Sequence, residues 1–167
     1  MHCYSNVNTE IGEFRVAWSP KGLTIICPAD EDSEKFENSY LHQFKERPER
    51  KEIPDDYRRA IQEAAAGRAF DAVLLDISSL SSFQVKVLQT LRKIPHGQVR
   101  TYSWLAGKAG HPGAARAVGN TMARNPIPIL IPCHRVVPST GGVGHYGLGS
   151  TMKRELLLRE GVDLEKL

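Results

Sequence analysis

The sequence predicts a two-part chain, with a small α/β domain over residues 1–79 and a mainly α-helical domain over residues 80–167. Two alternating apolar segments around a Pro-Lys-Gly turn predict a strand hairpin in the first part, whereas a helical apolar period begins at Phe83 in the second. The charge balance changes at the same point, from a net charge of −5 over residues 1–79 to +8 over residues 80–167. With 41% hydrophobic and 25% charged residues, the composition is that of an ordinary globular protein.

The first part predicts a hairpin followed by polar helical segments. Residues 14–19 alternate as a half-buried strand does, Pro20-Lys21-Gly22 supplies a turn, and residues 23–27 resume the strand pattern. The charge-rich residues that follow predict polar helix and loop. The remaining elements predicted here are polar helix and loop over 30–59, a short helix over 61–67 ended by glycine, and a strand at 73–75.

The second part predicts three successive helices and, near its end, a helical run that starts near Ser150. Apolar residues recur at helical spacing after a serine-rich segment, and Pro95-His96-Gly97 ends this first helix. Helix-favouring residues continue over 102–109 and 114–124, separated by the tight turn 110–113, and such a pair predicts a helix-turn-helix. The third helix, over 114–124, is rich in small residues. That composition suits close approach to a narrow DNA groove, or equally tight packing between helices.

Carboxylates are missing from a long stretch of the second part. No Asp or Glu occurs over residues 77–154, a window of 78 residues that holds 10 Lys and Arg. Basic surfaces usually have acidic residues interspersed, so the gap favours a polyanionic partner, most simply nucleic acid. The alternative is a basic domain that the acidic first half neutralises.

A proline-rich segment carries the most reactive side chains. Prolines at 126, 128, 132 and 138 oppose regular helix and predict an ordered loop. Cys133 stands there beside His134 and Arg135, and these basic neighbours predict a lowered thiol pKa and a thiolate nucleophile. Adjacent side chains do not generally face each other, so a water relay from thiol to imidazole is favoured over direct contact. The alternative is a buried, unreactive cysteine.

Several classes of protein are excluded or disfavoured. Three cysteines without a C-x-x-C pair argue against a disulfide scaffold and predict a reducing, cytoplasmic setting. No apolar run approaches the ~20 residues of a membrane helix, and no signal peptide is expected. His2, Cys3, Cys27 and His42 lack compact ligand spacing, so no metal site is predicted.

The second part resembles the O6-alkylguanine-DNA alkyltransferases, which are methylated-DNA–protein-cysteine methyltransferases. The most specific match is Pro132-Cys133-His134-Arg135-Val136, which is the active-site signature of that family, and the resemblance covers residues 80–161. Further matches in order and spacing are Phe83-Gln84, Ile94-Pro95-His96-Gly97, Thr101-Tyr102, Ala115-Arg116-Ala117-Val118-Gly119, Asn125-Pro126, Gly142-Val143-Gly144, Tyr146, Lys153 and Glu160-Gly161.

The resemblance implies a fold and a suicidal repair reaction. The first part would be ribonuclease-H-like with a small antiparallel sheet, and the second would carry the helix-turn-helix. Family members flip O6-alkylguanine out of duplex DNA through the minor groove and transfer the alkyl group irreversibly to a cysteine, here Cys133. The implied roles are proton acceptor for His134, carboxylate partner of that histidine for Glu160, and support of the turn before the cysteine for Asn125.

The resemblance also implies which residues contact DNA and substrate. Arg116 would fill the gap left by the flipped nucleotide, and Tyr102 would help rotate that nucleotide and donate a hydrogen bond to its base. The remaining candidate DNA contacts are Ala115, Gly119, Arg124 and Arg135, and the candidate pocket residues are Tyr102, Pro128, Val136, Tyr146 and Gly147. No cofactor is expected. The expected partner of the monomer is duplex DNA with O6-alkylguanine, and O4-alkylthymine is a further candidate lesion.

One departure and two alternatives accompany this assignment. Leu148 stands where the family commonly has glycine, in a loop that the resemblance places at the pocket. An alkyltransferase-like protein that binds damage without transfer is the runner-up, although such proteins have another residue in place of Cys133. A cysteine hydrolase is the third candidate, and it would leave the helix-turn-helix and the carboxylate gap unexplained.

Overall fold

A four-stranded sheet forms the centre of the first half in the computed structural model, which describes residues 1–29 and 32–167. Strands β1 (Cys3–Thr9), β2 (Gly12–Ser19) and β3 (Gly22–Pro28) run antiparallel, which confirms the predicted hairpin. The short strand β4 (Glu49–Arg50) pairs parallel with β1, so the sheet has the order β3-β2-β1-β4 and is mixed, which corrects the purely antiparallel sheet that was expected. The predicted class, α/β followed by mainly α, is the class observed.

Two helices flank this sheet. Helix α1 (Ser33–Phe44) begins at Asp32, whose carboxylate accepts from the amides of Glu34 and Lys35, and it buries Phe36 and Tyr40 against the sheet. Helix α2 (Asp55–Ala65) begins six residues before the predicted start at 61 and buries Ile61 and three alanines. The predicted strand at 73–75 is present only as an isolated bridge between Leu23 and Leu75.

The second half is built from helices and one two-stranded pair. Helix α3 (Ser82–Leu91) begins with a capping box in which Ser81 and Gln84 satisfy each other's backbone amides. The elements that follow are β5 (Arg100–Thr101), α4 (Tyr102–Lys108), α5 (Ala115–Ala123), a 3₁₀ helix at Cys133–Arg135, β6 (Val136–Val137) parallel to β5, α6 (Ser150–Arg159) and a 3₁₀ helix at Leu164–Lys166.

The two halves share one hydrophobic core. Buried residues of the sheet, such as Phe14 and Ile26, belong to the same cluster as Leu88, Leu105 and Ile131 of the second half. The amide of Ile26 also donates to the carbonyl of Pro126 at 2.8 Å, which ties β3 to the segment before Cys133. Both halves of the chain therefore help to fix the position of Cys133.

Over residues 1–29 and 32–167, every helix is too short or too polar to cross a membrane.

Candidate active site

Asn125 organises the loop between α5 and Cys133. Its Nδ2 donates to the carbonyl of Ile131 at 3.0 Å and to Sγ of Cys133 at 3.2 Å, while its Oδ1 accepts from the amide of Ile127 at 3.0 Å. Within this loop Ile129 is buried and has a φ of 78°, a left-handed conformation that a β-branched residue rarely adopts. The amide side chain thus bridges both ends of a tight turn and contacts the sulfur.

Cys133 is buried, and this burial corrects the expected acidity of its thiol. Burial raises the pKa of Cys133 to about 11, although the Asn125 hydrogen bond and the Lys153 ammonium act in the lowering direction. The sequence favoured a thiolate because it showed two basic neighbours. Burial is a tertiary property that outweighs them, so the resting group is a thiol that needs a base.

His134 and Glu160 form a buried pair beside that thiol. Nε2 of His134 lies 2.8 Å from Oε1 of Glu160, and both side chains are almost fully shielded. Glu160 accepts from His134 and Arg135, which together bring its pKa down to about 2 against the opposing effect of burial. An ionised Glu160 selects the tautomer of His134 that carries its proton on Nε2.

The other ring nitrogen of His134 is available to accept a proton. Burial lowers the pKa of His134, and Arg135 and Lys153 lower it further against the pull of Glu160, so the imidazole is neutral. Its Nδ1 is buried and has no hydrogen-bond partner within the described residues, as is also true of the Tyr146 hydroxyl. The two rings lie 6.3 Å apart in an edge-on arrangement. His134 and Glu160 together therefore supply a neutral base in a buried site.

Arg135 belongs to this buried network, which corrects its predicted place as a DNA contact. Its Nε and Nη2 each donate to Glu160 at 2.9 Å, and its Nη1 donates to the carbonyl of Ile94 at 2.7 Å. Only about a tenth of the side chain is exposed. Three of the five guanidinium N–H donors are therefore bonded to interior acceptors, and a side chain buried in this way is poorly placed to contact a phosphate.

Lys153 is a buried residue to which sequence analysis gave no role. Its ammonium donates to the carbonyls of Val136 at 2.7 Å and His145 at 3.1 Å, and burial lowers its pKa to about 8. Lys153, Leu156, Leu157 and Glu160 occupy one face of α6 and its C-terminal cap, at spacings of three, one and three residues. That periodicity is visible in the sequence and could have placed both charged residues on the buried face.

Two cavities meet at Cys133. They share Met122, Ala123, Cys133, Tyr146 and Gly147 as lining residues. The first, the helix-side chamber, has a volume of about 150 Å³ and adds Tyr102, Gly119 and His145. The second, the strand-side chamber, has a volume of about 170 Å³ and adds Ile26, Cys27, Asn125, Pro128 and Leu148.

These chambers contain most of the predicted pocket residues. Tyr102 packs over Gly119, where an added Cβ would lie 3.8 Å from the tyrosine ring. Tyr146 and Gly147 line both chambers, and Pro128 lines the strand-side chamber. Val136 differs from the others, because it is fully buried and its carbonyl is bonded to Lys153 rather than directed into a chamber.

Helices α4 and α5 form the predicted helix-turn-helix next to the helix-side chamber. Arg116 and Arg124 are exposed on or at the end of α5, and Ala115 is half-buried. Gly119 lies on the same helix at the mouth of the chamber. Exposed guanidinium groups and small side chains on one short helix are suited to the backbone and narrow groove of DNA.

No group of three or more His, Cys, Asp or Glu side chains is arranged to hold a metal ion in the part of the chain that the structure describes.

Comparison with known proteins identifies relatives over both halves. Residues 82–162 match the family model described as 6-O-methylguanine DNA methyltransferase, DNA binding domain. The methylated-DNA–protein-cysteine methyltransferase of Mycolicibacterium paratuberculosis is 34% identical over 160 residues, which cover 94% of this chain and 91% of the relative.

Solved structures extend the likeness to the fold. The O6-methylguanine methyltransferase of Mycobacterium tuberculosis has a TM-score of 0.76 at 34% identity, over 96% of this chain and 93% of that one. A structure of OGT from the same organism in complex with DNA has a TM-score of 0.75 at 32% identity, over 94% and 91% of the two chains. The aligned region spans about half the length of other curated relatives, such as 53% of the Methanothermobacter thermautotrophicus protein and 42% of the human one.

Proposed function

Because the chain belongs to the methylated-DNA–protein-cysteine methyltransferase family, we propose that it repairs DNA by direct reversal of alkylation. In this proposal the alkyl group of O6-alkylguanine moves to Sγ of Cys133, and one protein molecule repairs one lesion. The observation that carries the proposal is the position of the Cys133 thiol, at the junction of two chambers and beside the buried pair of His134 and Glu160. A cavity, a nucleophile and a neutral base coincide at one point.

The first chemical step is removal of the thiol proton. A thiol whose pKa is about 11 is almost entirely protonated at neutral pH, so the neutral imidazole of His134 accepts the proton at Nδ1 through a water molecule. The imidazolium that forms lies against ionised Glu160, which offsets the cost of a buried positive charge. Arg135 positions Glu160, and Asn125 stabilises the developing thiolate by its hydrogen bond to Sγ.

The second step is an in-line displacement at the saturated carbon. A bond forms between Sγ of Cys133 and the alkyl carbon while the bond from that carbon to O6 breaks, and the electron pair stays on guanine. Tyr102 donates a hydrogen bond to the guanine ring as this charge develops, and burial raises the pKa of its phenol so that it keeps its proton. The thioether product has no hydrolytic route back to the thiol, which makes the reaction stoichiometric and independent of a cofactor.

The DNA-binding role is assigned to the second half of the chain. We propose that α5 enters the minor groove, with Arg116 filling the base stack and Arg124 contacting phosphate, while the lesion rotates into the helix-side chamber. Residues 80–167 would form the DNA-binding and acceptor domain and residues 1–79 its support. The chain would act as a monomer in the compartment that holds genomic DNA, on O6-alkylguanine and, as a further lesion, O4-alkylthymine.

Mass spectrometry of the reacted protein tests this function. The chain is incubated with an excess of duplex DNA containing O6-methylguanine, and intact mass and peptide masses are measured. One added methylene per molecule, located on Cys133 with Cys3 and Cys27 unmodified, is the expected result. Cys133→Ser should bind the damaged duplex and gain no mass. Tight binding by the wild-type chain without any adduct would contradict transfer and identify a lesion-binding protein instead.

A further inference from the structure

A third cavity, the arginine cavity, lies between the irregular segment 70–75 and the active-site loop. It has a volume of about 180 Å³ and shares no lining residue with either chamber at Cys133. Its apolar walls are Phe70, Ala72, Val73, Leu75, Leu130 and Pro132. The proposed reaction makes no use of this space, although two of its walls belong to the loop that carries the nucleophile.

Two guanidinium groups complete the lining of the arginine cavity. Arg135 donates once from each of its three guanidinium nitrogens to Glu160 or to Ile94, so Nη1 and Nη2 each retain one further N–H. Arg92 is exposed at the end of α3, and its side chain has no hydrogen bond or ion pair with any residue that the structure describes. Among these described residues, no carboxylate lines the cavity. Positive charge is therefore available there.

This combination of groups selects a particular kind of occupant. A carboxylate accepts charge-assisted hydrogen bonds from guanidinium N–H groups in a paired geometry, and a hydrocarbon body covers the apolar walls. An inorganic anion has no hydrocarbon with which to cover them. A neutral apolar molecule would instead separate the remaining Arg135 donors from water without offering an acceptor, which is unfavourable.

We propose that the arginine cavity binds a small free carboxylate with an aromatic or branched hydrocarbon body, held by Arg92 and Arg135. Binding is transmitted to the active site, because a second carboxylate on Arg135 competes with Glu160, and Glu160 positions His134. Occupation of the cavity therefore slows alkyl transfer. The binding site is independent of the proposed function, whereas the effect on transfer rests on it.

Three small probes test the site by calorimetric titration of the full chain without DNA. Benzoate has the charge and the ring, benzamide lacks the charge, and acetate lacks the ring. Benzoate should bind saturably at one site and at least about tenfold more tightly than the other two probes. Arg92→Gln should weaken benzoate binding about tenfold. Lys93→Gln, at the adjacent exposed cation that does not line the cavity, should leave it unchanged.

Two results would overturn the binding site. Equal affinities for benzoate and benzamide would show that the guanidinium groups do not recognise the carboxylate. Unchanged benzoate binding in Arg92→Gln would place the probe elsewhere on the chain. Both variants replace exposed side chains, so a folding defect is not expected to obscure the comparison.

Transfer from a duplex containing O6-methylguanine tests the coupling to the active site. Saturating benzoate should slow transfer by wild type about fivefold or more, and Arg92→Gln at the same benzoate concentration should be slowed less. Benzamide and acetate at equal concentration should leave the wild-type rate unchanged. Benzoate binding without slower transfer would overturn the coupling and leave the site. Absence of methyl transfer without any probe would instead contradict the proposed function, while the calorimetric titrations still decide the binding site.

Discussion

Glu160 is one carboxylate shared by two consecutive side chains, His134 and Arg135. The arginine donates two hydrogen bonds of 2.9 Å to it, while Nε2 of the histidine lies 2.8 Å from its Oε1. Arg135 therefore acts on the chemistry through Glu160 and through its own charge, which is among the causes that lower the pKa of His134. A buried arginine in this position keeps the neighbouring base neutral without touching the reacting atoms.

Replacing this arginine should change the pH dependence of repair. In Arg135→Met the lowering influence on the pKa of His134 is lost, so the imidazole becomes protonated at a higher pH and stops accepting the thiol proton. We expect the acidic limb of the profile of transfer rate against pH to move to higher pH. The variant should also lose about 3–5 kcal/mol of stability, because Glu160 keeps its charge with one partner fewer.

Arg154→Met is the matched control, since Arg154 is an exposed arginine of α6. It should leave both the pH profile and the stability unchanged. Binding of Arg135→Met to undamaged duplex should keep the salt dependence of the wild-type chain. A reduced salt dependence would instead support the DNA-contact role that the burial of Arg135 contradicts.

The sequence predicted the active-site residues better than their states. Cys133, His134, Glu160 and Asn125 were all named from motifs, and the structure brings them together. The predicted acidity of the thiol was wrong because it depends on burial. The predicted role of Arg135 was wrong because it depends on a contact with Glu160, 25 residues away in the sequence. Local sequence shows which charges are adjacent along the chain, whereas packing determines which of them are shielded from water.

At the scale of elements, the segment from Asn125 to Cys133 is a strained loop whose two ends are bridged by one side chain. Ile129 adopts its left-handed φ of 78° while buried in the core, and strain of this kind persists only where the surroundings enforce it. Asn125 contributes to that enforcement through three contacts at the two ends of the turn, alongside the backbone bonds of Ile131 to Ile127 and of Ile26 to Pro126. The same side chain therefore couples the shape of the loop to the environment of the sulfur.

Deleting the Asn125 amide should affect stability and reactivity together. Asn125→Ala leaves the carbonyl of Ile131 and the amide of Ile127 without this partner, which should cost about 1–3 kcal/mol in the free energy of unfolding. The thiol loses a hydrogen bond that lowers its pKa, so transfer should slow as well. Asn8→Ala, at an exposed asparagine of β1, provides the comparison in denaturant titrations and transfer assays. Normal stability with normal transfer in Asn125→Ala would contradict this role.

Helices of the second half were easier to predict than elements of the first. Helix α3 has an apolar period and a capping serine, and its start differs from the prediction by a single residue. Strand β1 was not predicted, because Ser5, Asn6 and Asn8 have low strand propensity and pairing with β2 overrides it. The start of α2 was placed at residue 61 because the charged residues of its first six positions precede the buried apolar residues that pack on the sheet.

At the scale of the whole molecule, the ends of two distant helices meet at one glycine. Gly67 follows α2 with a φ of 80°, and a Cβ built there would overlap the backbone of Arg159 at the end of α6. Gly67 also offers its carbonyl to the His96 ring. Close contact between these backbones brings the first half of the chain against the helix that leads into Glu160.

A methyl group at this contact should destabilise the entire protein. Gly67→Ala combines the cost of a left-handed alanine with overlap against backbone, and we expect a loss of about 3 kcal/mol or more in thermal or denaturant unfolding. Gly113→Ala is the matched control, because Gly113 has a φ of 85° and open space around its Cα. It should cost only about 1 kcal/mol. Equal losses in the two variants would show that the contact with Arg159 is unimportant.

Acid should weaken the fold through the buried pair. The pKa of His134 lies below its ordinary value of 6.5, so the unfolded chain takes up that proton first and stability falls as the pH drops below 6.5. The pKa of Glu160 is about 2 against an ordinary 4.5, so its contribution is complete above 4.5 and is lost as the pH falls toward 2. The stability difference between wild type and Glu160→Gln should be largest above pH 4.5 and shrink below it. A difference independent of pH would contradict this assignment.

The carboxylate-free window predicts a steep effect of salt on DNA binding. Each phosphate contact from a basic side chain releases counterions, so the logarithm of the affinity for undamaged duplex should fall linearly with the logarithm of salt concentration. Arg124→Gln should reduce that slope by about 1 and weaken binding similarly for different sequences. Arg47→Gln, in the acidic half, should leave the slope unchanged. If the salt-dependence slope of Arg124→Gln equals that of wild type, Arg124 does not contact phosphate.

The hydrogen bond from the Ile26 amide to the Pro126 carbonyl makes the second half of the chain dependent on the first. A fragment that starts at Leu80 contains every motif of the alkyltransferase signature, yet it would lack the sheet that covers its active-site loop. The amide of Ile26 would no longer meet the Pro126 carbonyl, and Ile131 and its neighbours would face water. Such a truncation should behave as an aggregation-prone fragment rather than as a miniature repair protein, whereas an N-terminal half supplied separately could restore the missing cover.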